Sequence, residues 1–134
     1  MTRSGLILSV LLCAAHGADL HAAPDSDRIV ERATFRQVGI ASWYGKGLGG
    51  HETADGESFD RSVIAAAHRT LAFDTVVRVT NTATGQTLKV RINDRGPHRR
   101  SRIIDLSAAA ASALGFGTAG TASVRVEAFA FDQP

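Results

Sequence analysis

Two runs of strict side-chain alternation constrain this chain more than any other feature. Thr75-Val76-Val77-Arg78-Val79-Thr80-Asn81 puts Val77 and Val79 on one face and Arg78 and Thr80 on the other. Thr87-Leu88-Lys89-Val90-Arg91-Ile92-Asn93 does the same with Leu88, Val90 and Ile92 inward. A period of two marks a half-buried strand. Thr82-Ala83-Thr84-Gly85 turns the chain between them, so the pair reads as a β-hairpin.

The rest of the chain repeats that pattern in shorter pieces. Val38 to Trp43 is a β-rich run interrupted by Gly39, and Ser62 to Ala67 is a weak strand or turn segment. Arg102-Ile103-Ile104-Asp105-Leu106 resumes the alternation, and Ala122 to Phe131 closes it. Ser107 is placed to cap a short alanine-rich helix through Leu114, which Gly115 stops. Gly45, Gly47, Gly49 and Gly50 argue against a regular element between Tyr44 and His51. The expected class is mainly β: about six short strands with one small helix, closed into a barrel because closure removes exposed edges.

Composition narrows the function classes. A chain of 134 residues is room for one domain. Its net charge of +2 is too small to argue for a nucleic-acid partner, and none is expected. A single cysteine, Cys13, excludes an internal disulfide and a cysteine-based metal site. His51, His68, Asp94 and Glu57 could supply metal ligands on paper, but no close His spacing supports a site; neither metal nor cofactor is expected. No phosphate-binding glycine loop and no serine nucleophile elbow occurs.

Residues 1–23 read as a secretion signal, with Arg3 ahead of an apolar run from Gly5 to Ala15. The cleavage point is open. Cys13 lies where an acylated cysteine would lie, but Leu12 before it is not the small residue such signals prefer, so lipid anchoring ranks second to export into the periplasm. No transmembrane segment is expected once the signal is removed. Residues 24–36 are charged and without a clear apolar period, and read as a flexible linker. The barrel is expected over residues 37–131.

Residues with chemical potential collect where the strand period fails. They lie in Thr53-Ala54-Asp55-Gly56-Glu57, in Ala66-Ala67-His68-Arg69-Thr70 and in Asn93-Asp94-Arg95-Gly96-Pro97. Loops and strand ends of a barrel can bring such groups together. Asp94, at a strand exit before Gly96-Pro97, reads either as a turn-former bonded to its own backbone or as a proton carrier. Arg95 beside it would oppose protonation of Asp94 unless its side chain points the other way, as neighbours on an extended segment do. Glu57 reads as an exposed loop acid or a site carboxylate. His68 alone reads as a satisfied half-buried histidine or a site residue. Asp105, between Ile104 and Leu106, looks mainly structural, with Arg102 as a partner. The run His98-Arg99-Arg100-Ser101-Arg102 is a solvated turn or, beside a cleft, a grip on an anionic polymer.

Taken in order, these stretches resemble the RlpA (rare lipoprotein A) family of bacterial envelope proteins. The likeness is carried by Gly39-Ile40-Ala41-Ser42-Trp43-Tyr44-Gly45, Thr53 to Asp60, Ala66-Ala67-His68-Arg69-Thr70-Leu71, Val90 to Pro97, Arg102 to Ser107 and Val124-Arg125-Val126-Glu127. It runs from about Val38 to Ala128. The resemblance implies a six-stranded double-psi β-barrel with one or two short helices, as in the N-terminal domain of expansins. It implies lytic transglycosylase activity on peptidoglycan glycan strands, with a preference for strands stripped of stem peptides. The family's functional trio falls on Glu57, His68 and Asp94, with Trp43, Tyr44, Thr53, Asn93 and Arg95 expected to line the substrate groove. Division-site proteins are possible further partners under the same resemblance. The alternative is a non-catalytic, expansin-like glycan-binding barrel. Gly49-Gly50 stands where the family usually has His-Gly, Asp55 where it has Asn, and Ala72 and Asp74 where it has Pro and Gly. The peptidoglycan-binding SPOR domain of many relatives is not expected here.

Overall fold

A computed structural model describes residues 32–44, 53–56, 60 and 62–134. The expected signal and Cys13, most of the linker, the glycine loop, His51 and Glu57 lie outside the described residues. Six strands are described: β1 (Ala33–Tyr44), β2 (Ala65–Ala67), β3 (Val76–Asn81), β4 (Thr87–Asp94), β5 (Ile104–Ser107) and β6 (Thr121–Phe129). One helix, α1 (Ala108–Ala113), follows β5, and a 3₁₀ turn at Ala130–Asp132 follows β6.

The strands close into a barrel in the order β1-β5-β2-β4-β3-β6. The β3–β4 pair is the expected antiparallel hairpin, with Val77 opposite Val90 and Val79 opposite Leu88. Two pairs, β1–β5 and β2–β4, are parallel within an otherwise antiparallel barrel. This mixed, interlocked closure is the pattern of the expected double-psi barrel.

Alternation decides what fills the interior. Val77, Val79, Val90, Ile92, Ile104, Leu106, Val124 and Val126 are all buried and pack with Ala41 and Ala66. Fully burying such side chains stabilises the fold by about 1.5–3 kcal/mol each. Leu114 and Phe116 join the same cluster from the end of α1. Ser107 caps that helix, accepting the Ala110 N–H at 3.2 Å, and Gly115 follows it with φ 75. Strand β2 consists of three buried alanines between β4 and β5. Its small side chains suit the most enclosed position in the sheet.

Two boundaries differ from the sequence expectation. Strand β1 starts at Ala33, so Ala33 to Arg36 are strand rather than linker. Phe35 packs on the core from this stretch, and Arg36 pairs with Glu127 of β6. At the other end β6 stops at Phe129 rather than Phe131. Asp132 is drawn back onto the hairpin by Arg78 and Lys89, each at 2.8 Å, which bends the chain into the 3₁₀ turn.

Candidate active site

A β-bulge sets the direction of Asp94. In the β2–β4 pair Ala66 faces Ile92, but Ala67 faces Asp94, leaving Asn93 as an extra residue on β4. Continued alternation from Val90 and Ile92 would turn Asp94 into the barrel. The inserted residue resets the phase and turns it outward, as bulges beside functional sites often do.

Register then builds a row across four strands. Asp94 is registered with Ala67, Ala67 with Asp105, and Asp105 with Ser42 of β1. Registered neighbours share a face of the sheet. Asp94 and Asp105 therefore flank the methyl group of Ala67, two strand spacings or about 9–10 Å apart at the backbone. Gly96 lies over the same methyl: a Cβ built on it would sit 3.7 Å from Ala67 Cβ and 3.8 Å from Asp105 Oδ2.

The Asp94 Oδ1 atom accepts the N–H of Ala54 at 2.9 Å and that of Arg95 at 2.8 Å. It is thus both a turn-former on its own backbone and the anchor of a distant turn. That turn is also held by the Asp55 N–H, which donates to the Asn93 carbonyl at 3.2 Å. Thr53, buried, donates its hydroxyl to Asp55, and Arg91 reaches Asp55 Oδ2 at 3.4 Å and Asp74 Oδ1 at 2.8 Å. Asp74 has φ 68, the left-handed conformation that glycine favours. Asn93 is buried, and its Oδ1 has no hydrogen-bond partner among the described residues.

His68 sits behind this row rather than over it. Its backbone N–H donates to the Asp94 carbonyl at 3.1 Å. Its Nδ1 accepts the N–H groups of Thr70 at 3.2 Å and Leu71 at 3.1 Å, which leaves Nε2 to donate to Gln37 Oε1 at 3.0 Å. Phe35 meets the ring edge-on with centroids 5.5 Å apart. Burial, with Arg69 and Arg95 nearby, holds the imidazole pKa below its usual value. His68 is therefore a neutral imidazole with both ring nitrogens engaged.

Arg95 does point away from Asp94, as the extended backbone requires. Its guanidinium caps the carbonyls of His68 at 3.2 Å and Leu71 at 2.7 Å and lies 4.0 Å from the Phe73 ring centroid. Arg69 does the same for the next loop, donating to the carbonyls of Pro97 at 3.0 Å and of Arg99 and Arg102 at 2.6 Å. Two planar guanidinium forks thus set the backbone on both sides of the Asp94 exit.

The two aromatic candidates separate. Trp43 packs against the core and donates its indole N–H to the Ala119 carbonyl at 3.2 Å. Tyr44, next along β1, falls within the fields of Asp94, Asp105 and Asp55; burial first and then those charges raise its hydroxyl pKa well above the ordinary value. The phenol stays protonated there. Asp105, read from sequence as mainly structural, does meet Arg102 at 3.6 Å, and Ser42 donates its hydroxyl to it. Its place in the row with Asp94 was not visible locally. The outward phase of Asp105 between Ile104 and Leu106 was the one available signal.

Known proteins share this barrel. The profile of a family described as lytic transglycolase matches residues 36–126. The chain belongs to the lytic transglycolase family. Within it, the chain is 51% identical over 100 residues to the endolytic peptidoglycan transglycosylase RlpA of Vibrio cholerae, covering 75% of this chain and 38% of that one. It is 52% identical over 95 residues to RlpA of Neisseria meningitidis, covering 71% of this chain and 40% of that one. This family member thus spans less than half the length of those relatives. Among solved structures, Streptomyces papain inhibitor superposes with a TM-score of 0.56 at 22% identity, over 72% of this chain and 96% of that one. An expansin of Clavibacter michiganensis gives 0.55 at 23% identity, over 69% and 49%. At those identities the shared feature is the fold.

Proposed function

We propose that this chain is a lytic transglycosylase of peptidoglycan. It cleaves the bond between N-acetylmuramic acid and N-acetylglucosamine in strands lacking stem peptides, without adding water. The muramic acid's own C6 hydroxyl closes onto C1, the C1–O bond to the leaving sugar breaks, and a 1,6-anhydro end remains. The observation that carries this reading is Asp94, turned by a bulge onto the outer face of a barrel of this family.

In this reaction Asp94 protonates the departing oxygen and then takes the C6 hydroxyl proton, so it ends as it began. Such proton transfer is worth about 10²–10⁴-fold in rate. Glu57, which directly follows the turn anchored on Asp94, stabilises the positive charge on the opened sugar. His68 acts by orientation: it fixes the turn whose backbone holds Asp94 and Arg95. Thr53, Asn93 and Arg95 shape the groove from behind, and the faces of Tyr44 and Trp43 offer contact to sugar rings.

Such a substrate places the protein in the cell envelope, outside the inner membrane, which agrees with the signal-like start of the sequence. Among the described residues no helix is long and apolar enough to cross a membrane. Division-site proteins are proposed as further partners.

Incubation with purified stem-peptide-free glycan followed by mass spectrometry tests the reading. Ends lighter than reducing ends by one water are the expected product. Reducing ends would mean a hydrolase, and glycan retained on the protein without any cleavage would mean a binding barrel.

A further inference from the structure

We infer that Arg99 and Arg100, at the tip of the loop from β4 to β5, form a subsite for the free lactyl carboxylates of the glycan strand. This rests on the lytic transglycosylase reading and deepens it, giving a physical cause for a preference for strands without stem peptides.

The loop leaves and returns at one place. Asp94 at its start and Asp105 just past its end are both registered with Ala67 of β2. Gly96 packs against that alanine and Pro97 is buried after it, so the chain surfaces only at His98. His98 to Ser101 are all exposed. Arg99 and Arg100 follow Asp94 by five and six residues, which keeps the tip within about 20 Å of chain from the carboxyl. A strand held with its reacting bond at Asp94 extends past it on both sides, so neighbouring sugars come within reach of this tip.

The tip is also fixed. Arg69 grips the carbonyls of Pro97, Arg99 and Arg102, and the Arg102 N–H closes a turn on the Arg99 carbonyl at 3.2 Å. Those carbonyls orient Arg69 without cancelling its charge. Arg102 is engaged by Ser42 at 2.6 Å and by Asp105 at 3.6 Å. Arg99 and Arg100 have no acidic partner among the described residues. Adjacent like charges on a held turn repel each other, and an anion seated between them relieves that repulsion.

The ligand chemistry fits a carboxylate on a sugar. In a stripped strand each N-acetylmuramic acid carries a free lactyl carboxylate. In a strand that keeps its stem peptides the same carboxyl is an amide and has no charge. A guanidinium fork binds a carboxylate through two parallel hydrogen bonds, which an amide cannot match.

The test compares wild type, R99Q/R100Q and R99K/R100K on stem-peptide-free glycan and on the same glycan with its lactyl carboxyls capped as methylamides. Anhydro-end release gives kcat and KM, and thermal unfolding reports the fold. We expect R99Q/R100Q to raise KM roughly 3–20-fold with kcat within about twofold, the pattern of binding made equally in ground and transition states. R99K/R100K, which keeps the charge without the fork, falls between. Capping raises the wild-type KM by a similar factor and leaves that of R99Q/R100Q nearly unmoved. A wild-type KM in R99Q/R100Q, or the same response to capping in both proteins, overturns the subsite while leaving Asp94 and the parent reading intact. A wild type that releases no anhydro ends from uncapped glycan overturns both. Should R99Q/R100Q fail to fold, wild type on capped glycan decides, and an unchanged KM there overturns the subsite.

Discussion

The carboxylate of Asp94 accepts the backbone N–H of Ala54 at 2.9 Å, tying the end of β4 to a turn 40 residues earlier. One side chain therefore does two jobs, presenting a carboxyl group outward and fixing the turn that Glu57 directly follows in sequence. Substitutions at Asp94 must be chosen to separate the two.

Asp94→Asn keeps an oxygen acceptor for the Ala54 and Arg95 N–H groups but cannot shuttle a proton. Anhydro-end release should fall by about 10²–10⁴-fold, with the unfolding midpoint close to wild type. Asp94→Ala removes the acceptor as well and should cost about 1–3 kcal/mol of stability in addition. Product mass spectrometry and thermal denaturation of the pair check this; full activity in D94N would remove Asp94 from the mechanism.

His68 gives a pH dependence whose sign follows from its buried, neutral state. Its folded pKa lies below the unfolded value of 6.5, so the unfolded chain takes up a proton first as pH falls. Stability should be insensitive to this group above that value and decline below it, until the folded imidazole also protonates. His68→Leu should flatten the decline below pH 6.5. It should also lower stability at neutral pH by about 1–3 kcal/mol through the unpaired Thr70 and Leu71 N–H groups. Denaturant titrations across pH measure both effects.

Gly39 is required by packing. A Cβ there would lie 2.8 Å from Ile103 Cγ2, closer than two carbons tolerate. Gly39→Val should destabilise by about 1–3 kcal/mol through overpacking. In the Ile103→Ala background the same change should cost less, giving a coupling that a double-mutant cycle of unfolding free energies detects.

Arg69 holds the carbonyls of Pro97, Arg99 and Arg102, so it fixes a loop containing several trypsin sites. Arg69→Gln should speed tryptic cleavage after Arg99 and Arg100 while leaving the barrel's circular dichroism unchanged. Equal cleavage rates would show that the loop is rigid for another reason.

The readable and unreadable parts of this fold divide along the range of the interactions. The hairpin, the Ser107 cap and the Gly115 stop depend on neighbours close in sequence, and their residues announce them. The start of β1 was masked because Gln37 takes a core-side position where an apolar residue is expected; its amide meets His68. The bulge at Asn93 leaves no trace in the alternation, because only the partner strand defines the extra residue. Asp94 and His68 were legible as neighbours of the site, but their division between an outward carboxyl and an inward imidazole was not. Asp105 joined them only through pairing with β2 and β1, which no local pattern encodes.

The three alanines of β2 bind these consequences together. Both acids take their alignment from one methyl-bearing position, so a slip of a single residue there would separate them and open the sheet in the same event. Closure of the barrel and the placement of these carboxylates are therefore set by the same seam.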